Sequence, residues 1–229
     1  MSTLAREPLR VGEQAFTPDA SGALYHEDER LLIVADLHLE KGSAYAARRV
    51  LLPPYDTAAT LARLAAVAAR YRPRAVLALG DSFHDGAADE RMDARDRDAL
   101  RALQSGRDWI WIAGNHDPKT PAAFAGARAD AFRLGDVTLR HEPAQGGGPQ
   151  IAGHLHPAAR VATARGGVRR RCFVSDGRAC VMPAFGAYAG GLNILDEAFA
   201  PVVSRERASA HVLGRDAVYR VAFAACRPD

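Results

Sequence analysis

Asp36 and His38 stand one leucine apart at the end of the apolar run LLIVAD (31–36), and His154 and His156 repeat the spacing within IAGHLHP (151–157). In an extended backbone, positions i and i+2 project to one side, so each pair can grip one ion while the leucine between faces the core. Taken alone, Asp-x-His is also the pattern of a turn aspartate beside a polar histidine, and His-x-His that of two surface histidines. Gly153 lets the chain turn sharply as it enters the second pair. Gly80 and Asp81 end AVLALGD (75–81), placing a carboxylate at the carboxyl edge of an α/β sheet, the expected place for a functional group, although a cap or turn aspartate reads the same way. Gly114-Asn115-His116-Asp117 adds a neutral oxygen ligand, a proton donor or acceptor, and a carboxylate able to hold the imidazole in one orientation. His141 closes VTLRH (137–141). Six of the eight histidines, at 38, 84, 116, 141, 154 and 156, fall in or beside strand-end loops; His26 and His211 are expected at the surface.

The elements that must hold these residues alternate. LLIVAD, AVLALGD, WIWIAGNHD (109–117) and IAGHLHP read as buried strands. Between the first two, Asp56 or Thr57 can cap a helix with Leu61, Leu64, Ala65, Ala68 and Tyr71 on one face and Pro73 at its end. A second helix is expected from Asp89 to Gln104, stopped by Gly106. The order is βαβαβ. The second half carries hairpin signals, RCFVSDGRACVM (171–182) turning at Asp176-Gly177 and HVLGRDAVYRVAF (211–223) turning at Gly214 to Asp216. The glycine-rich AQGGGPQ (144–150) is too short to separate domains and is expected as a mobile loop beside the site, so residues 1–229 read as a single domain.

Composition narrows the class. With 48% apolar residues the chain can bury a substantial core. The first fifteen residues lack an apolar signal region and no stretch is long enough to span a membrane, which predicts a soluble protein without a membrane partner. Cys172, Cys180 and Cys226 are odd in number and widely spaced, which argues against a disulfide framework and for the cytoplasm. A net charge of +3 does not announce nucleic-acid binding by itself. Arg48, Arg49 and the triplet Arg169 to Arg171 could neutralise backbone phosphates, or be the exposed charges of an arginine-rich chain.

In order, DLH, GD, GNHD, a later single His and GHLH resemble the motifs of the calcineurin-like metallophosphoesterases. EKGSAYAARRVLLPPYDT (40–57) and MPAFGAYAGGLNILDEAF (182–199) are similar to the subgroup of ligase-associated DNA damage response endonucleases, the PdeM proteins; Ala189 stands where a Thr is expected before the Gly pair. The resemblance implies an α/β fold, a four-layer α/β/β/α sandwich with two mixed β-sheets flanked by helices. It implies one metal ion on Asp36, His38, Asp81 and His156 and another on Asp81, Asn115, His141 and His154, with Asp81 bridging. A nitrogen and oxygen donor set without thiolate suits Mn²⁺, Zn²⁺ or iron better than Ca²⁺ or Mg²⁺, and the resemblance favours Mn²⁺. The activity so implied is metal-dependent phosphodiester hydrolysis, a DNA endonuclease working in repair beside a ligase or helicase. From GNHD itself, His116 would protonate the leaving group, oriented by Asp117, with Asn115, Arg48 and Arg49 as substrate contacts; His84, with Asp85 close after Asp81, reads as a substrate contact, as a support for the ligands, or as part of a solvated loop pair. Hydrolysis of a small phosphodiester or phosphomonoester, or a non-catalytic subunit of a repair complex, are the competing readings.

Overall fold

Short apolar strands build two mixed sheets. The computed structural model describes residues 7–119, 121–163 and 166–229; the first six residues of the N-terminal segment read above lie outside the described residues. The first sheet takes its strands in chain order: β1 (Leu9–Val11), β2 (Gln14–Pro18), β3 (Leu24–His26), β4 (Leu31–Val34), β5 (Ala75–Leu79), β6 (Asp108–Ile112) and β7 (Ala127–Ala129). The first four are antiparallel neighbours, whereas β4 to β7 run parallel. Parallel neighbours need crossovers, and helices α1 (Lys41–Ala47), α2 (Asp56–Tyr71), α3 (Ala88–Arg91) and α4 (Ala94–Gln104) supply two of them. Every residue of β4 and β5 is buried, as strands covered on both faces must be.

The second sheet holds β8 (Ala131–Leu134), β9 (Val137–Arg140), β10 (Gln150–Ala152), β11 (Pro157–Thr163), β12 (Gly166–Ser175), β13 (Ala179–Val181), β14 (Leu192–Asn193), β15 (Ser209–Leu213), β16 (Val218–Ala222) and β17 (Cys226–Arg227). β9, β10 and β13 are mutually parallel. Both expected hairpins form: β12 pairs β13 across Asp176-Gly177, and β15 pairs β16 with Leu213 opposite Val218.

Three apolar layers fill the gaps. Leu61, Leu64, Val67 and Leu100 of the helices pack on Leu32, Val76 and Trp111 of the first sheet. Ile33, Leu77 and Ile112 meet Leu139, Ile151 and Phe173 between the sheets. Outside the second sheet, Phe199 and Val203 cover Val174, Val181 and Ala210. The α/β/β/α order holds, with the last layer reduced to irregular chain and the 3-10 helices Glu197–Phe199 and Phe223–Ala225.

Several local expectations change. The single helix over 89–104 is two, because buried Met92 is extended and the Asp93 side chain accepts the Arg95 N–H to start α4 afresh. In α2, Val67 is buried in place of Ala65, which is exposed. Neither Asp56 nor Thr57 caps α2; both reach back to the start of α1 instead. The glycine-rich loop is not beside the site: Arg178 Nη2 donates to the Gly147 carbonyl, so the loop lies at the opposite end of β10, against the β12–β13 turn. His26 is buried, packed on Phe16 with its ring bonded to Gln14, and His211 is half-buried on β15.

Candidate metal centre

Strands β4, β5 and β6 of the first sheet and β9 and β10 of the second end at one common edge. Asp36 follows β4, Asp81 follows β5, Asn115 follows β6, His141 follows β9 and His154 follows β10. In α/β folds this carboxyl edge is where ligands bind. The expected i, i+2 projection is realised without an extended backbone. Asp36, His38, Asp81, His154 and His156 all have left-handed φ between 44° and 68°. A non-glycine residue there costs on the order of 1–2 kcal/mol, and such outliers gather at functional sites. Cross-loop bonds hold the turns: Asp36 N–H to the Gly80 carbonyl, His38 N–H to Asp81 and Leu39 N–H to Ser82, while Leu37 and Leu39 drop into the core. Gly153, expected to turn the chain, is instead required for close approach, since a Cβ there would stand 2.6 Å from Asp36 Oδ2.

The side chains converge in two groups that share Asp81. In one, His38 Nε2 lies 3.4 Å from His156 Nε2 and 3.8 Å from Asp81 Oδ2, and His156 Nε2 lies 3.3 Å from Asp36 Oδ1. In the other, Asn115 Oδ1 is 2.9 Å from both His141 Nε2 and His154 Nδ1, and His141 Nε2 is 3.4 Å from Asp81 Oδ1. Asp36 and Asp81 are buried, and backbone N–H groups of His154 and His116 donate to them. His141 donates Nδ1–H to the Leu79 carbonyl at 3.2 Å, which leaves the Nε2 lone pair facing Asp81 and Asn115. Burial, reinforced by His156, His116 and Lys41, pushes His38 down to about 2, so its ring is neutral and able to donate a lone pair.

These residues fit metal ions. Imidazole lone pairs facing one another and two carboxylates across gaps of 3.3 to 3.8 Å repel unless a cation or protons lie between them. Such separations suit ligands around an ion with bonds of about 2.0–2.2 Å. Two compact triplets, Asp36–His38–His156 and Asp81–His141–His154, bring one donor atom each within 4.8 Å of one another, and so does a third, His38–His84–His116.

Around this centre the expected roles are redistributed. Asp117 does not touch the His116 ring: it is buried and its Oδ2 accepts the N–H groups of Ser82 and Phe83, at 2.9 and 3.0 Å. Burial pushes its carboxyl up to about 7, against the pull of those bonds. His116, exposed, donates Nδ1–H to the His84 carbonyl at 3.0 Å and stacks on the His84 ring. His84 is buried, and that burial, with His116 and Lys41 nearby, pushes it down to about 4. Arg48 and Arg49 are exposed at the end of α1. The arginine triplet is largely structural: Arg169 pairs with Asp229, and Arg171 donates to the Ala184, Ala187 and Ala189 carbonyls, leaving Arg170 exposed.

Lys41 was missed by motif reading. Its Nζ donates to the Tyr188 carbonyl and its charge bears on both His38 and His84. The available signal was scarcity, since the chain has only one other lysine, Lys119, and Lys41 stands three residues after His38. Arg63 and Arg171 bind the same 184–189 segment, Arg63 through the Phe185 carbonyl and ring, and Phe185 and Gly186 N–H groups bond to Ala35 and Asp36. A segment far along the chain is thereby fastened to the Asp36–His38 turn.

Comparison with known proteins gives the family. The family model described as calcineurin-like phosphoesterase matches residues 29–172, which contain all the residues of both groups. A search of curated protein sequences returns no match. Among solved structures, the chain is similar to the Pseudomonas putida nuclease MPE, with 28% identity and a TM-score of 0.72 over 94% of this chain and 100% of the other. It also matches YfcE, a phosphoesterase from E. coli, at 13% identity over 84% of this chain and 98% of that one, with a TM-score of 0.41 that is too low to bear on the fold. The chain belongs to the calcineurin-like phosphoesterase family.

Proposed function

We propose that this protein is a metal-dependent phosphodiesterase that cuts DNA internally in the course of repair, using two divalent cations, Mn²⁺ foremost. One observation carries the reading: the Asp81 carboxylate turns Oδ2 towards His38 and Oδ1 towards His141, so one residue serves two donor groups. The first group is Asp36, His38, Asp81 and His156; the second is Asp81, Asn115, His141 and His154. Nitrogen and oxygen donors without thiolate suit Mn²⁺, Zn²⁺ or iron. The likeness to a nuclease along nearly the whole chain supports a polynucleotide as the substrate.

When bound, a pair of divalent cations lowers the pKa of water and offsets the charge that gathers on phosphoryl oxygens. The chain supplies the rest. With Nδ1–H committed to the His84 carbonyl, the exposed His116 ring can take up a second proton on Nε2 and pass it to the departing oxygen, returning to the neutral imidazole. Asn115 is exposed beside it and can steady the phosphoryl group, while Arg48 and Arg49, exposed at the end of α1, can meet neighbouring phosphates and the His84 ring stacks on that of His116.

The test is metal-free protein reconstituted with Mn²⁺ and assayed on single-stranded and duplex DNA, RNA, a cyclic dinucleotide and simple phosphate esters. Internal scission of circular DNA is expected. His116→Ala should lower turnover by about 10²–10⁴ with metal content intact. Cleavage of esters but never of polynucleotides would sink the nuclease reading in favour of a small phosphoester. Binding without any turnover would leave a non-catalytic subunit.

A further inference from the structure

The link between α1 and α2, Arg48 to Tyr55 (RRVLLPPY), exposes Val50 by 49%, Leu51 by 89% and Tyr55 by 67%. The other exposed large hydrophobic residues among those described, Val168, Leu192 and Tyr219, lie on the second sheet. Single exposed apolar side chains are ordinary, but a cluster on one short loop marks a binding surface.

Where it enters α2, the loop is tied back to the start of α1. Glu40 N–H donates to the Thr57 hydroxyl at 2.8 Å, that hydroxyl donates to the Glu40 carboxylate at 2.9 Å, and Gly42 N–H donates to buried Asp56 at 3.0 Å. Apolar residues are thus held in water by a fastened base. The loop also starts at the candidate centre: Tyr45, whose carbonyl accepts the Arg48 and Val50 N–H groups, has its ring 5.7 Å from that of His84. Helix α1, of seven residues, is about 10 Å long, so the loop begins within about that distance of Lys41, three residues after His38.

Charge decides what this surface fits. Among the described residues neither Arg48 nor Arg49 is in a salt bridge, whereas Arg70, Arg91, Arg169 and Arg220 each pair with a carboxylate. The core of a protein-binding patch is depleted of charge, while single-stranded nucleic-acid sites set cations for the backbone beside aromatic and apolar faces for the bases. Bases stacked inside a duplex cannot reach such a tip; unpaired ones can.

We propose that the Arg48–Tyr55 loop is a polynucleotide platform: Arg48 and Arg49 hold phosphates flanking the scissile bond, and Leu51 and Tyr55 lie against unpaired bases just beyond it. The inference rests on the nuclease reading above and adds to it a surface outside the metal centre.

The full chain loaded with Mn²⁺ would be compared with Leu51→Ser, Tyr55→Ser and the double variant, each on a single-stranded oligonucleotide and on bis(p-nitrophenyl) phosphate, which cannot extend to the tip. The ratio of kcat/KM for the oligonucleotide to that for the small diester should fall about tenfold per substitution, mostly through KM. An unchanged ratio in the double variant overturns the platform, and so does an unchanged ratio accompanied by conversion of a dimer to a monomer in light scattering, which would make the tip an interface between copies. Wild-type protein that cleaves the diester and no polynucleotide overturns the nuclease reading itself, a result that needs no variant.

Discussion

Asp117 Oδ2 accepts the backbone N–H of Ser82 at 2.9 Å, so the carboxylate next to His116 in sequence anchors the turn that carries Asp81. The same oxygen takes the Phe83 N–H. Asp117→Asn keeps an acceptor for both and should retain metal binding and most of the turnover. Asp117→Ala leaves two buried donors unpaired, each at about 1–3 kcal/mol, and should lose metal together with thermal stability. A loss of about 10⁴ in turnover for Asp117→Asn with full metal content, the scale seen when a carboxylate that orients a catalytic imidazole is removed, would show that Asp117 acts on His116 after all.

Asp81 turns an oxygen to each donor group, whereas His156 turns Nε2 to the first and His141 turns Nε2 to the second, its Nδ1, 3.7 Å from Asp36, being tied to the Leu79 carbonyl. Metal analysis after Mn²⁺ reconstitution should therefore find about two ions per chain in wild type, about one in His156→Ala or His141→Ala, and none retained in Asp81→Ala. Equal loss in all three variants would mean that the groups do not fill independently.

Gly80 has φ +74°, and a Cβ on it would stand 2.3 Å from the His141 ring. Neither the ring, tied to Leu79, nor the buried backbone can give way easily. Gly80→Ala should cost about 1–3 kcal/mol and displace His141, seen as a lower Tm and weaker metal retention. Gly86→Ala, where the same atom would meet nothing within 4 Å, is the control and should leave both unchanged.

His211, far from the centre on β15, is pushed down to about 4 by burial and by the Arg220 charge. The unfolded chain has an ordinary histidine that binds its proton near pH 6.5. Between these values the unfolded state holds more protons, so stability rises with pH. The contribution is complete above about 6.5 and is lost as pH falls through about 4. Tm of metal-free His211→Gln should depend less steeply on pH across this window than that of wild type; an identical slope would count against the assignment.

The order of elements was legible because periodicity is local: β4, β5, β6 and α2 fall where the apolar runs and the helical spacing put them. The break at Met92 was not, since the preference of one buried side chain for the core overrode a continuous helical pattern. The place of the glycine-rich loop depends on the direction of β10, which composition does not encode. Arg171 and Arg169 looked like a surface patch because nothing local shows the carbonyls they bind, those of 184–189 and Gly191.

By itself the sequence determined the donor types, their order and their position at the ends of apolar strands, because strand ends and side-chain chemistry are set by neighbouring residues. Only the tertiary structure decided that Asp36, His38, Asp81, His154 and His156 meet through left-handed turns, that Asp81 divides its oxygens between two histidine groups, and that Asp117 serves the Asp81 turn. Those relationships join residues up to 120 positions apart, Asp36 and His156, and they exist only when the packed core between the two sheets brings both carboxyl edges together.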